Sequence, residues 1–149
     1  MAQILIVLAL VAVAAAVAVI VQRRTHEDAP EQGQSWAVPT QLDRTDFARP
    51  DAPWLVAVFS SSTCLACQGT WEKAQILECS EVVVASLDSL DHKAIHDRYK
   101  IEAVPMVLVA DGTGEVRRSF IGEPTATDLW AALAELRDPG SVPPGCTTP

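Results

Sequence analysis

The chain has 149 residues, which suggests one domain with appended segments, and its formal net charge is −8. Every charged side chain lies after residue 22, so the first 22 residues differ in kind from the rest. The acidic remainder carries no basic stripe, and this argues against nucleic acid as a partner.

Residues 4–21 form an unbroken run of Ile, Leu, Val and Ala without charge, Gly or Pro. A helix of that length spans about 27 Å, close to the hydrocarbon thickness of a bilayer. A cleaved signal peptide is the competing interpretation, but no Lys or Arg precedes the run, which ends on the bulky residues Val19–Val21. We therefore predict that residues 1–22 are an uncleaved transmembrane helix in contact with the lipid bilayer.

Basic residues follow the apolar run directly, at Arg23 and Arg24. The positive-inside rule then favours a single-pass protein whose C-terminal part faces the cytoplasm rather than the extracytoplasmic side. Residues 23–35 are polar and include Pro and Gly, which is typical of a linker rather than a core element. The folded domain is predicted over 36–137, and residues 138–149 are expected to form a flexible tail.

Continuous apolar runs in the domain indicate buried strands, alternation indicates a half-buried strand, and turn residues separate the elements. The predicted strands are 36–42, 54–59, 82–87, 105–110 and 115–121. The predicted helices are a short one near 43–47 and longer ones over 65–79, 91–99 and 125–137. Asp111–Gly114 is a hairpin signal between the last two strands. Parallel βαβ units with a closing hairpin and helix predict an α/β sandwich around a mixed sheet.

Cys64 and Cys67 stand just after a predicted buried strand, at the start of a predicted helix. At a helix start, free backbone N–H groups and the helix dipole favour a thiolate, which is the nucleophile in disulfide exchange. We therefore predict a redox-active pair in which Cys64 is the attacking nucleophile. Cys67, one turn further inward, would resolve the mixed disulfide.

Other uses of a CxxC motif are a structural disulfide and half of a zinc site. Zinc needs four ligands, and the remaining cysteines and histidines form no second pair at the usual spacing, so we predict no metal. His92 and His96 are expected to lie on a solvated helix face. The even cysteine count permits a second disulfide between Cys79 and Cys146, with a half-buried and a free tail thiol as the alternative.

The order strand, Cys64-x-x-Cys67, helix, strand, helix, then Ile101-Glu-Ala-Val-Pro105 and a hairpin resembles the thioredoxin family. The resemblance covers about residues 38–137. It implies a thioredoxin-like three-layer sandwich that needs no cofactor. It further implies a thiol–disulfide oxidoreductase with a protein disulfide or dithiol as substrate and a separate reductant or oxidant as redox partner.

The resemblance also implies a substrate groove beside the two cysteines. Its residues would be Thr63, Val104, Pro105 and Gly122, with a cis peptide bond between Val104 and Pro105. A cis bond there would expose the backbone of Val104 for pairing with a substrate strand. Asp88, after the second buried strand, also matches the family.

Three departures from the family point to a specialised relative. Thr63 stands where the family usually has Trp, and Leu65-Ala66 stands where it often has Gly-Pro. Val58 occupies the position of a buried Asp that would help to deprotonate the resolving thiol, so we expect slower or different exchange chemistry. A non-catalytic binding or scaffold domain therefore stays an alternative, and a metal carrier is a less favoured one.

Overall fold

A computed structural model describes residues 36–141. The predicted anchor over 1–22, the linker over 23–35 and most of the predicted tail lie outside the described residues. Between residues 36 and 141, no helix has the length and apolar character needed to cross a membrane.

A four-stranded mixed sheet forms the centre of the domain, in the order β2-β1-β3-β4. Its strands are Trp54–Ser60 (β1), Val82–Asp88 (β2), Met106–Asp111 (β3) and Val116–Ile121 (β4). β1 pairs in parallel with β2, while the β1–β3 and β3–β4 pairs are antiparallel. The four strands agree with the predicted runs to within one residue at each end.

The direction of β3 differs from the expectation of successive parallel βαβ units. The helix between β2 and β3 is Lys93–Tyr99, and seven residues of helix cover only about 10 Å. The chain therefore does not return along the sheet, and it enters β3 at the end of the sheet where β1 and β2 terminate. Phe59, near the end of β1, pairs with Met106, the first residue of β3.

The three α-helices are Leu65–Ala74 (α1), Lys93–Tyr99 (α2) and Ala126–Arg137 (α3). α1 is shorter than predicted because its continuation, Gln75–Leu77, tightens into a 3-10 helix. The predicted edge strand over 36–42 is not formed: only Gln41 makes a bridge, with Glu115. The N–H of Leu42 donates to the Gly114 carbonyl oxygen at 2.8 Å and the N–H of Val116 donates to the Thr40 carbonyl oxygen at 2.9 Å, and no ladder extends beyond this bridge over residues 36–42.

The helices cover both faces of the sheet, and alternate strand residues face each side. One core cluster includes Val56, Val58, Val107, Val109, Leu129 and Leu133, and so packs α3 on the sheet. The other includes Leu55, Phe59, Met106 and Leu108, with Ile95 and Tyr99 of α2 packed against it. The domain is therefore the three-layer α/β sandwich that the sequence predicts.

His96 corrects the expectation of a solvated histidine face. It is buried, its Nε2 lies 2.9 Å from the Leu87 carbonyl oxygen, and its ring meets the ring of Phe59 edge-on. α2 has few apolar residues, so the side that faces the sheet includes this histidine beside Ile95. His92 is exposed, as expected.

Candidate active site

Cys64 and Cys67 form a disulfide at the start of α1, with their Cα atoms 5.3 Å apart. Cys64 is the N-cap of the helix, and its Sγ accepts a hydrogen bond from the backbone N–H of Cys67 at an N–Sγ distance of 3.2 Å. Cys64 is half-buried, whereas Cys67 is only 3% exposed. Solvent and any partner therefore reach Cys64 first.

A tight turn connects β1 to the cysteine pair. β1 is buried along Leu55–Phe59, and the chain then turns so that the N–H of Cys64 donates to the Ser61 carbonyl oxygen at 3.0 Å. Cys64 has extended dihedral angles, as an N-cap residue should. Thr63 is exposed in this turn, next to the disulfide.

The predicted groove residues Val104, Pro105 and Gly122 lie at the same end of the sheet as the disulfide. The Val104–Pro105 peptide bond is cis, as the resemblance implies. The N–H of Gly122 donates to the Pro105 carbonyl oxygen at 2.9 Å, and its φ of +85° is one that glycine adopts readily. Within residues 36–141, Val104 makes no backbone hydrogen bond.

Three residues that the sequence did not single out join α1 to the loop after β4. Lys73 of α1 forms an ion pair with Glu123, and its Nζ donates to the Pro124 carbonyl oxygen at 3.2 Å. A Cβ at Gly69 would overlap the carboxylate of Glu123. The available signal was a glycine inside a helix, two residues after Cys67, where glycine is unfavourable without a packing reason.

The remaining predicted site features lie as follows. Val58 is fully buried among valines of the core, so an apolar side chain stands where thioredoxins bury an acid. Cys79 is exposed, and Cys146 lies outside the described residues, so their pairing stays a prediction. Across the part of the chain that the structure describes, no group of three His, Cys, Asp or Glu residues is placed to hold a metal.

No protein-family model and no curated protein matches the sequence. Solved structures do match. A point mutant of thioredoxin from Halobacterium salinarum NRC-1 has a TM-score of 0.51 and 24% identity, covering 63% of this chain and 81% of that one. The germline-specific thioredoxin Deadhead of Drosophila melanogaster has a TM-score of 0.53 and 20% identity, covering 67% and 98%. Thioredoxin from Fasciola hepatica has a TM-score of 0.50 and 23% identity, covering 58% and 83%.

The domain has a thioredoxin-like fold. In this thioredoxin-like domain, the disulfide lies at one end of the sheet. The end of β1, the start of β3 and the end of β4 meet there. Identities of this size support the fold alone. The chemistry must therefore be argued from the residues of the site.

Proposed function

We propose that this protein is a membrane-tethered thiol–disulfide oxidoreductase that reduces protein disulfides through Cys64 and Cys67. The observation that carries the proposal is the disulfide at the start of α1, with one half-buried and one buried sulfur. In the reduced form, the N–H of Cys67 and the helix dipole would stabilise a thiolate on Cys64. The more accessible sulfur is then also the better nucleophile.

The reaction proceeds by two exchanges of disulfide bonds. The Cys64 thiolate attacks one sulfur of the substrate disulfide, which forms a mixed disulfide and releases the other substrate sulfur as a thiolate. The Cys67 thiolate then attacks Cys64 Sγ, and the second substrate sulfur leaves. The substrate has gained two electrons and two protons, and Cys64 and Cys67 are left as a disulfide. A dithiol reductant returns them to the reduced state.

Exposed apolar side chains at the same end of the sheet as the disulfide support a protein rather than a small polar substrate. Leu65 follows β1 and is 83% exposed, Leu90 follows β2 and is 76% exposed, and Ile121 ends β4. All three follow or end a strand at the end of the sheet where the disulfide lies. The unpaired backbone of Val104 could add a substrate strand beside them.

Residues 4–21 would anchor the chain in the bilayer, and Arg23 and Arg24 support a cytoplasmic domain. A reducing cytoplasm would keep Cys64 and Cys67 available as a dithiol, in agreement with the reducing direction. A tether would limit the substrates to proteins at or near the same membrane.

Val58 favours a second candidate, a non-catalytic binding domain that uses the Pro105 groove. A buried valine cannot take a proton from the resolving thiol, so exchange could be too slow for turnover. A redox titration separates the two candidates. A binding domain would keep Cys64 and Cys67 oxidised even at strongly reducing potentials.

The test uses purified full-length chain in detergent, with insulin as substrate and dithiothreitol as reductant. We expect the unaltered protein to accelerate insulin reduction. Cys67→Ser should accumulate a covalent insulin adduct that excess dithiothreitol releases, because the resolving step is missing. The control, Cys64→Ser, should form no adduct and have no activity. The enzymatic proposal is wrong if the unaltered protein adds nothing to the dithiothreitol rate and neither variant differs from it.

A further inference from the structure

The loop after β4 is attached to the helix that begins with the disulfide. Lys73 of α1 pairs with Glu123, and its Nζ also reaches the Pro124 carbonyl oxygen at 3.2 Å. Trp130 of α3 donates from Nε1 to the Lys73 carbonyl oxygen at 3.1 Å, which joins α3 to the same turn of α1. We refer to Gly69, Lys73 and Glu123 as the loop clamp.

Gly69 contributes to the clamp by lacking a side chain. A Cβ at this position would overlap Oε1 of Glu123, so the carboxylate occupies space that only glycine leaves open. Glycine inside a helix is less favourable than alanine. The close approach of Glu123 is a physical reason for glycine here.

The clamp connects the two walls of the candidate groove. One wall is the start of α1 with Cys64, and the other is the segment of Val104 and Pro105. Gly122 hydrogen-bonds to the Pro105 carbonyl oxygen, and its neighbour Glu123 is held by Lys73 of α1. The ion pair between Lys73 and Glu123 is therefore one of the contacts that link the two walls.

We propose that Gly69, Lys73 and Glu123 are positioning residues that fix the spacing of the groove for a substrate strand. This inference rests on the proposed oxidoreductase function. A protein disulfide must contact both walls, whereas a small disulfide needs only the Cys64 sulfur. Loosening the loop should therefore weaken binding of a protein substrate without slowing the exchange chemistry.

Three single variants break the clamp by different means: Gly69→Ala by displacing Glu123, Lys73→Met by removing the cation, and Glu123→Gln by removing the anion. Each full-length variant is assayed with insulin and with 2-hydroxyethyl disulfide. For insulin we expect KM to rise about two- to fivefold, the range for loss of a partly exposed ion pair, with kcat unchanged. The rate with 2-hydroxyethyl disulfide should not change. The double variant of Lys73 and Glu123 should have the same KM as Lys73→Met, because Lys73→Met already removes the ion pair and the hydrogen bond to the Pro124 carbonyl oxygen.

The matched control is Glu81→Gln, which breaks the ion pair between Glu81 and Arg137. That pair also joins distant segments, and Glu81 precedes β2 at the opposite end of the sheet. We expect Glu81→Gln to lower the thermal unfolding midpoint about as much as Glu123→Gln does, with no change in the insulin KM. This comparison separates positioning of the groove from loss of stability.

The outcomes distinguish the clamp from the function on which it rests. The clamp proposal is wrong if the unaltered protein reduces insulin and the variants have the same KM, or if Glu81→Gln raises KM equally. It is also wrong if the variants slow both disulfides alike. If the unaltered protein reduces neither substrate, the proposed function itself fails and the clamp proposal fails with it.

Discussion

Tyr99 shows how burial and hydrogen bonding change the pKa of a single residue. Its hydroxyl accepts from the N–H of Asp43 at 2.8 Å and donates to Oδ2 of Asp46 at 2.5 Å. Burial, followed by the hydrogen bond to Asp46, raises the pKa of Tyr99 from 10.0 to about 12. Arg98 pairs with both carboxylates, so the 3-10 helix Arg44–Asp46 is attached to the end of α2.

The raised pKa of Tyr99 predicts a loss of stability at high pH. Below pH 10.0 the tyrosine is protonated in both the folded and unfolded chain. Between pH 10.0 and about 12 the folded chain holds the proton more tightly, so the free energy of unfolding falls as pH rises. We expect Tyr99 to contribute about 1–2 kcal/mol to this fall, less than full conversion of the shift because the hydroxyl is partly solvated.

Chemical denaturation at several pH values checks this, with Tyr99→Phe as the comparison. The variant should lose part of the fall that the unaltered protein shows. Tyr99 is the only tyrosine in the chain, so tyrosinate absorbance also follows its titration directly. Parallel pH profiles for the two proteins, or a tyrosinate midpoint near pH 10.0, would contradict the prediction.

At the scale of elements, α3 is the helix whose first residue is indicated most clearly by the sequence. The Thr125 hydroxyl oxygen accepts from the N–H of Asp128 at 3.1 Å, and the hydroxyl donates to Asp128 Oδ2 at 2.7 Å. Thr125 is therefore the N-cap of α3, as a Thr-x-x-Asp sequence before an apolar run favours. The helix then buries Leu129 and Leu133 against the sheet.

Thr125→Ala should lower the free energy of unfolding by about 1 kcal/mol, because it removes the cap of α3. Thr127→Ala is the control, an exposed position inside the same helix turn, where we expect a change within about 0.5 kcal/mol. Urea denaturation measures both. Equal losses in the two variants would mean that the hydroxyl of Thr125 does not act as a cap.

In β4, the alternation of apolar and polar residues did not predict which side chains are exposed. The sequence predicts regular alternation over 115–121, but the register shifts between Val109 and Ala110 of the neighbouring strand. Arg117 and Arg118 are consequently both exposed, and only Val116 and Phe120 are half-buried. β4 is the outer strand of the described sheet, and bulges are common at sheet edges.

At the scale of the whole molecule, the anchor and the side of the membrane can be tested together. We expect the full chain to remain in the membrane fraction after alkaline carbonate washing. Cys79 is exposed, so in a Cys146→Ser variant a membrane-impermeant maleimide should label it only after the cells are permeabilised. Labelling of intact cells would place the domain on the extracytoplasmic side. Release of the chain by carbonate would contradict the anchor.

The sequence by itself determined the features that depend on near neighbours. Continuous apolar runs identified β1 and β3, because a strand buried on both faces needs apolar residues throughout. The apolar run over 82–87 also marked β2, but this strand lies at the edge of the described sheet and its Ser86 is exposed, so the prediction of a fully buried strand was wrong there. The position of Cys64 between a buried strand and a helix predicted its place at the helix start. The resemblance to thioredoxins added the cis bond before Pro105, which spacing alone could not supply.

Only the tertiary structure decided the features that join distant segments. The direction of β3 depends on where a short α2 leaves the chain, and the burial of His96 depends on which side of α2 meets the sheet. Arg44 is buried, with its guanidinium donating to the carbonyl oxygens of Ala52 and Asp111, although an Arg between polar neighbours indicates a surface position. Gly69 meets Glu123 because the loop after β4 lies against α1. Such contacts leave no periodic pattern, because the partners are tens of residues apart and only packing brings them together.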